Sequence, residues 1–161
     1  MVAEVSYRHA EKADIPLLAC YHRLMFEEMY ALDELSGHLA VDFEALEQAQ
    51  QAKLEQQLID GSCMAWVAEY QNQLVAGGAV SMLNTVPVPE DPSWRVAFLH
   101  SVYTVKEMRG RGIASAIVDL LLDYCRIHDL RRIQLNASEA GRSVYLGKGF
   151  KPLKQAMILW L

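Results

Sequence analysis

The sequence has few cysteines, and their number is odd. Cys20, Cys63 and Cys125 each lie within an apolar pattern typical of a helix or a strand. Three scattered thiols argue against a disulfide framework and favour a reducing compartment. We therefore expect a cytoplasmic protein.

Long apolar runs and clustered positive charge are also missing. No run approaches the ~18 residues that a membrane-spanning helix requires, and the first residues, M-V-A-E-V-S-Y-R, lack the apolar region of a signal peptide. The 15 Lys and Arg are outnumbered by 20 Asp and Glu, which gives a net charge of −5. Nucleic-acid-binding proteins usually show a basic stripe. We therefore expect neither a membrane nor a nucleic acid as partner, and we expect no metal.

The chain has 161 residues, of which 52% are hydrophobic. This length and composition predict a single domain over residues 1–161. Strands mixed with helices predict an α/β or α+β fold around one sheet. The predicted elements are, in order, a strand over 5–8, a helix that is capped by Asp14 and broken by Gly37, a helix from Asp42 to Ile59 that Gly61 stops, strands over 63–70, 74–83 and 96–104, a helix over 112–128, a strand over 132–137, a helix from Ser138 or Glu139 to Lys148 with Gly149 as C-cap, and a final strand over 157–161.

The most informative stretch chemically is 102–114, V-Y-T-V-K-E-M-R-G-R-G-I-A. An apolar, β-branched run is followed there by a short charged turn and by two glycines at the start of an amphipathic helix. Helix N-termini carry unpaired N–H groups and partial positive charge, so they attract phosphates. Gly110 and Gly112 let an anion approach the main chain, and Arg109 and Arg111 add positive charge. The stretch predicts a strand-to-helix diphosphate site.

Two known phosphate loops do not fit this stretch. A P-loop requires lysine and then Ser or Thr after the last glycine, where this chain has Ile113 and Ala114; the dinucleotide fingerprint requires a third glycine, where it has Ser115. The sequence instead resembles the acetyl-CoA-binding motif of the GNAT acyltransferases, Q/R-x-x-G-x-G/A, which Arg109, Gly112 and Ala114 match. The alternative is an ordinary glycine turn before a core helix.

Residues 135–150, L-N-A-S-E-A-G-R-S-V-Y-L-G-K-G-F, resemble a second segment of the same family. Tyr145 matches the tyrosine of its short helix, and Gly149 and Phe150 match its terminal pair. Ser138 stands where the family often has asparagine. The predicted order of elements also resembles that of GNAT enzymes over essentially the whole chain. The resemblance implies a mixed, mostly antiparallel central sheet flanked by helices.

The resemblance implies an N-acetyltransferase that moves the acetyl group of its co-substrate, acetyl-CoA, directly to a primary amine of a small molecule or protein. It implies that Tyr145 is the general acid for the departing thiolate. It also implies that the strand over 102–104 pairs with the pantetheine arm, and that one of its N–H groups polarises the thioester carbonyl. The expected acetyl-CoA-binding residues are Val102, Tyr103, Thr104, Arg109, Gly110, Arg111, Gly112, Ile113, Ala114 and Ser138.

Several assignments stay open at this level. The general base is Glu27, Glu28, His100 or a chain of waters, whereas His22, on the apolar stripe of the first helix, is expected to be a hydrogen-bonded core residue. A non-catalytic acyl-CoA-binding or regulatory module is the alternative function. The acceptor amine has no motif, although acidic residues near the end of the first helix favour a cationic amine. The apolar final strand predicts a surface that must be covered, for example in a homodimer.

Overall fold

The computed structural model describes residues 4–32 and 40–161. Helices and strands follow one another in these ranges much as the sequence predicts, with short 3₁₀ turns at Lys12–Asp14 and Lys106–Met108. The elements are β1 (Ser6–His9), α1 (Ile15–Ala31), α2 (Phe43–Asp60), β2 (Cys63–Tyr70), β3 (Gln73–Asn84), β4 (Arg95–Thr104), α3 (Ile113–Ile127), β5 (Ile133–Leu135) and α4 (Glu139–Gly147).

The five strands form one sheet in the order β1-β2-β3-β4-β5. The pairs β1–β2, β2–β3 and β3–β4 are antiparallel, and β4–β5 is parallel. A parallel neighbour requires a crossover connection, which α3 supplies between β4 and β5. The predicted mixed, mostly antiparallel sheet flanked by helices is confirmed.

Each face of the sheet carries its own hydrophobic core. Ala79 and Val80 are consecutive in β3 but belong to different cores, which places the two cores on opposite faces. Ile117 of α3 belongs to the same core as Val80. Leu18 of α1 and Leu54 of α2 belong to the same core as Ala79. The central strands are therefore covered by α3 on one side and by α1 and α2 on the other.

The ends of α2 follow the sequence closely. The Asp42 carboxylate accepts a hydrogen bond from the Ala45 N–H at 3.0 Å, which caps the first turn. Gly61 ends the helix in the left-handed conformation, with φ of 79°. In α4 the C-cap is Lys148, and the predicted cap, Gly149, follows it with φ of 92°.

Asp14 is the N-cap residue of α1, as predicted, but its side chain makes no capping hydrogen bond to the helix. Its carboxylate instead accepts hydrogen bonds from the Arg8 guanidinium at 2.7 and 3.0 Å and from the Glu11 N–H at 2.7 Å. A bidentate, charge-assisted pair is stronger than a bond to a helix N–H. The pair with Arg8 also lowers the pKa of the Asp14 carboxyl.

The final strand predicted over residues 157–161 is wrong. These residues form no strand, and their side chains are exposed. An apolar run supplies suitable side chains, but a strand also needs a backbone partner, and the described part of the sheet does not pair with this segment. Gly37, the predicted break of the first helix, lies outside the described residues.

Gly78 in β3 lies where α3 comes close to the sheet. A Cβ atom at this position would stand 2.7 Å from Ile117 Cγ2 and 3.2 Å from Val102 Cγ2. We expect Gly78→Ala to lower the free energy of unfolding by about 2 kcal/mol, because overpacking a dense core costs ~1–3 kcal/mol. Urea denaturation measures the change. Gly147→Ala is the matched control, since a Cβ there meets nothing within 4 Å; equal losses in both variants would contradict the packing argument.

Candidate active site

Strand β4 contains a β-bulge near its C-terminal end. Opposite Gly78, β4 has one residue more than β3. Ser101 lies in this bulge with φ of 57°, a left-handed conformation that costs a non-glycine residue about 1 kcal/mol. A bulge re-aims the side chains of its strand. As a result the side chains of His100 and Ser101, although consecutive, are hydrogen-bonded to each other at 2.8 Å.

Beyond the bulge, one edge of β4 is open. β4 and β5 pair only over Ala97–Leu99, so the described part of the sheet leaves the following residues of β4 without a neighbour on that side. On the other side, the Val105 N–H donates to Val75 O at 2.9 Å. Because the main-chain groups of a strand alternate between its two edges, Val102 and Thr104 turn theirs toward the open edge.

The turn after β4 leads into the N-terminus of α3. Gly110 and Gly112 are both left-handed, with φ of 75° and 77°, and a Cβ at either position would meet nothing within 4 Å. The N–H groups of residues 110–115 make no hydrogen bond within the described part of the chain. The first bonded N–H of α3 is that of Ala116, which donates to Gly112 O at 3.0 Å. A row of main-chain donors is thus available to an anion.

The two arginines of this turn differ in their contacts. The Arg109 guanidinium donates to both Glu28 carboxylate oxygens at 2.9 and 3.0 Å, and its Nε donates to Thr104 O at 2.8 Å. It also lies 5.3 Å from the centre of the Tyr103 ring. Arg111 makes no ion pair among the residues that the structure describes. Glu28 therefore balances much of the charge that was expected from Arg109, and Arg111 is the freer cation.

Helix α4 carries the predicted general acid. Ser138 caps the helix, and its Oγ accepts a hydrogen bond from the Gly141 N–H at 3.1 Å, which leaves the hydroxyl proton for donation. Tyr145 is half-buried, with its ring centre 5.8 Å from that of Phe150. Burial raises the pKa of Tyr145 to about 12. The phenol therefore keeps its proton at neutral pH and is a proton donor.

The side chains considered as general base are poorly suited to it in this structure. Glu27 is paired with Arg23 at 2.5 Å, and Glu28 is held by Arg109. Burial lowers the pKa of His100 to about 3, which makes its imidazole a weak base at neutral pH.

A polar cluster beside the bulge was not expected as a whole. Ser101 Oγ lies 2.7 Å from His22 Nδ1 and 2.8 Å from His100 Nδ1, and Gln50 Nε2 donates to it at 3.3 Å. We call these four residues the Ser101 cluster. His22 is hydrogen-bonded, as the sequence predicts, but nothing in the pattern indicates its partner. Glycines inside a strand, such as the pair at 77–78, are typical of a bulge or a close backbone contact, but they do not indicate this cluster.

The predicted site residues come together from three elements. Val102 of β4, Ile113 of α3 and Tyr145 of α4 contact the same hydrophobic core. The open edge of β4 leads through residues 105–109 to the free N–H groups of residues 110–115, and Tyr145 of α4 packs against the same core. Residues 4–32 and 40–161 contain no group of three His, Cys, Asp or Glu side chains that could hold a metal ion. No helix in the described ranges is long and apolar enough to cross a membrane.

Solved structures share this fold. A predicted acetyltransferase from Clostridium acetobutylicum, solved with acetyl-CoA, is 24% identical, with a TM-score of 0.82 over 97% of this chain and 96% of its own. A GCN5-related N-acetyltransferase from Ralstonia eutropha is 22% identical, with a TM-score of 0.85 over 98% and 99%. Glucosamine-6-phosphate N-acetyltransferase from Arabidopsis thaliana is 16% identical, with a TM-score of 0.64 over 98% of each chain.

No curated protein is significantly similar to this chain in sequence. A family model does match: that of the acetyltransferase (GNAT) family, over residues 23–150. This match covers most of the chain and includes β4, the glycine turn, α3 and α4. The chain belongs to the GNAT family of acetyltransferases.

Proposed function

We propose that this protein transfers the acetyl group of acetyl-CoA directly to a primary amine of a small molecule or peptide. The observation that carries this proposal is the row of unbonded N–H groups over residues 110–115 beside the open edge of β4. A diphosphate satisfies such a row, and the amides of a pantetheine arm pair with an open strand edge. Acetyl-CoA contains both groups in one molecule.

Each part of the site has a role in this reaction. The outward main-chain groups of Val102 and the outward N–H of Thr104 align the pantetheine arm, and an outward N–H of β4 donates to the thioester carbonyl and stabilises the oxyanion. The amine nitrogen forms its bond to the acetyl carbon as the carbon–sulfur bond breaks, and the amine gives up a proton to a chain of waters, which returns one to the Tyr145 phenolate. Tyr145 donates its phenolic proton to the departing thiolate. Ser138 Oγ donates its free proton to the co-substrate while it caps α4.

The acceptor is proposed as a primary amine without a stated charge. The Arabidopsis relative is named for glucosamine-6-phosphate, which carries such an amine. Glu27 and Glu28 are two of the acidic residues near the end of the first helix whose charge favours a cationic acceptor, but both are held by arginines. Asp33 and Glu34, which favoured it as well, lie outside the described residues. Attraction of a cationic amine by these carboxylates is therefore not part of the proposal.

Two measurements test the proposal. Calorimetric titration with CoA should show one site per chain, as expected of a single domain. A screen of primary amines should show thiol release that requires both acetyl-CoA and the amine, with an acetylated product in the mass spectrum. Absence of heat with CoA would contradict the site. CoA binding without acetylation of any amine would favour the alternative, a non-catalytic acyl-CoA-binding module.

A further inference from the structure

Ser101 is a strained residue held by its own side chain. Its φ of 57° belongs to the left-handed region, which favours glycine. Three side chains approach its Oγ: His22 from α1, Gln50 from α2 and the neighbouring His100 of β4. Strained residues persist when the surrounding structure over-determines them, and they concentrate at functional sites. The strain lies immediately before Val102, at the edge proposed for the thioester.

The hydrogen bonds at Ser101 Oγ are fully satisfied. A hydroxyl donates one hydrogen bond and accepts two. Gln50 Nε2 donates one, so one histidine must donate through Nδ1–H and the other must accept at Nδ1. The accepting imidazole is therefore neutral, and the two rings differ in protonation at the nitrogen that faces Ser101. Protonation of both would leave one N–H without an acceptor.

The cluster is anchored behind Ser101 as well. His100 Nε2 lies 2.8 Å from Ser81 Oγ of β3, and Lys53 Nζ of α2 donates to the same oxygen at 2.9 Å. The His22 ring contacts the Phe26 ring edge-on, with centres 5.1 Å apart. The cluster thus connects α1, α2, β3 and β4, so the bulge cannot relax without breaking contacts to three other elements.

The environment favours a positioning role over proton transfer. Burial, with the positive charge of Lys53 as a further cause, lowers the pKa of His22 to about 4 and that of His100 to about 3. Such imidazoles stay neutral at physiological pH and keep the lone pairs that the cluster needs. They are weak proton acceptors, since a general base works best with a pKa near the working pH.

We propose that His22, His100 and Gln50 are positioning residues, which hold Ser101 in the bulge and thereby aim the outward N–H of Val102 at the thioester carbonyl. This inference rests on the proposed function. The bulge decides which main-chain groups reach the open edge: with it, these are the groups of Val102 and Thr104. Without it, the alternation along β4 would shift by one residue and turn the Val102 N–H toward β3.

Two substitutions at position 101 separate positioning from chemistry. Ser101→Ala removes Oγ and leaves the strained backbone unsupported, whereas Ser101→Gly removes the same oxygen but adopts this φ without strain. In ¹⁵N spectra of the wild type and of S101G, we expect the Val102 amide resonance of the CoA complex to differ from that of the acetyl-CoA complex. In S101A we expect the two complexes to give the same Val102 resonance. This readout needs no acceptor amine.

Kinetics with an amine from the screen supply the second readout. We expect S101A to lower kcat about 100-fold, the scale of losing one oxyanion donor, and S101G to recover about 10-fold of that loss. The Kd for CoA should change less than about 3-fold in both, because the row over 110–115 is untouched. His22→Phe should lower kcat in the same direction. His128→Phe, at an exposed histidine, is the control and should keep the wild-type kcat.

Each remaining outcome is decisive. Equal losses in S101A and S101G would overturn the proposal and give Ser101 Oγ a direct chemical role. The proposal would also be overturned if S101A kept the kcat and the Val102 amide shift of the wild type. It would be overturned as well if the wild-type protein bound CoA but its Val102 resonance did not change with acetyl-CoA. A wild type that does not bind CoA at all overturns the proposed function itself, which distinguishes the two failures.

Discussion

Gly112→Trp is expected to weaken CoA binding about 100-fold in calorimetric titration. Gly112 is the N-cap of α3, and a side chain there extends into open space before the free N–H groups of residues 110–115. An indole in that space would displace the diphosphate from one or two of these donors. Hydrogen bonds to charged groups contribute ~1.5–3 kcal/mol each, and about 3 kcal/mol corresponds to about 100-fold in Kd.

Gly61→Trp is the matched control for this substitution. Gly61 has φ of 79° and ψ of 6°, against 77° and 5° for Gly112, and a Cβ at either position meets nothing within 4 Å. Both variants therefore force a bulky residue into the same left-handed conformation, and we expect similar losses in Tm. CoA affinity should fall only in the Gly112 variant. If the Gly112 variant bound CoA as tightly as the wild type, or if both variants lost the same CoA affinity, the assignment of the diphosphate to this turn would be contradicted.

Tyr145→Phe is expected to lower kcat about 100-fold at saturating acetyl-CoA, with the Kd for CoA unchanged. The substitution keeps the ring that packs against Phe150 and removes only the proton donor. A general acid contributes ~10²–10⁴ in rate, and we expect the lower end because a thiolate, with a thiol pKa of ~8.5 for cysteine as a guide, leaves readily. Thiol release with an amine from the screen measures the effect.

Tyr124→Phe is the control for this change, since Tyr124 lies on α3 with its ring 4.2 Å from that of His128. The pH profile gives an independent check. Because the pKa of Tyr145 is raised to about 12, the phenol stays protonated up to about pH 10, and kcat should not fall on the alkaline side for this reason. A fall in kcat on the alkaline side below about pH 10 that disappears in Tyr145→Phe would contradict the role of Tyr145 as general acid. Equal kcat values in Tyr145→Phe and Tyr124→Phe would contradict it as well.

The sequence predicts the parts of this protein that depend on local backbone chemistry. Asp42 and Gly61 mark the ends of α2 through a side-chain cap and a left-handed turn, and the structure has both. The sequence predicts that the main chain is accessible at Gly110 and Gly112, and both are left-handed with open space around a Cβ position. Such features need only residues close in sequence, so they can be predicted from a pattern.

The features that the sequence does not reveal depend on distant partners. Ser101 is an ordinary strand residue until His22 of α1 and Gln50 of α2 meet it across the fold. The charge of Arg109 was expected to serve an anion, but Glu28, distant in the chain, binds it. Residues 157–161 have the side chains of a strand and lack a backbone partner in the described sheet. Each outcome is set by tertiary contacts that periodicity does not encode.

The most direct test of the account is a crystal structure of the protein with CoA. We expect diphosphate oxygens within hydrogen-bond distance of the N–H groups of residues 110–115, and the pantetheine arm along the open edge of β4 at Val102 and Thr104. CoA bound elsewhere on the molecule, or a diphosphate held by side chains with these N–H groups left unbonded, would contradict it.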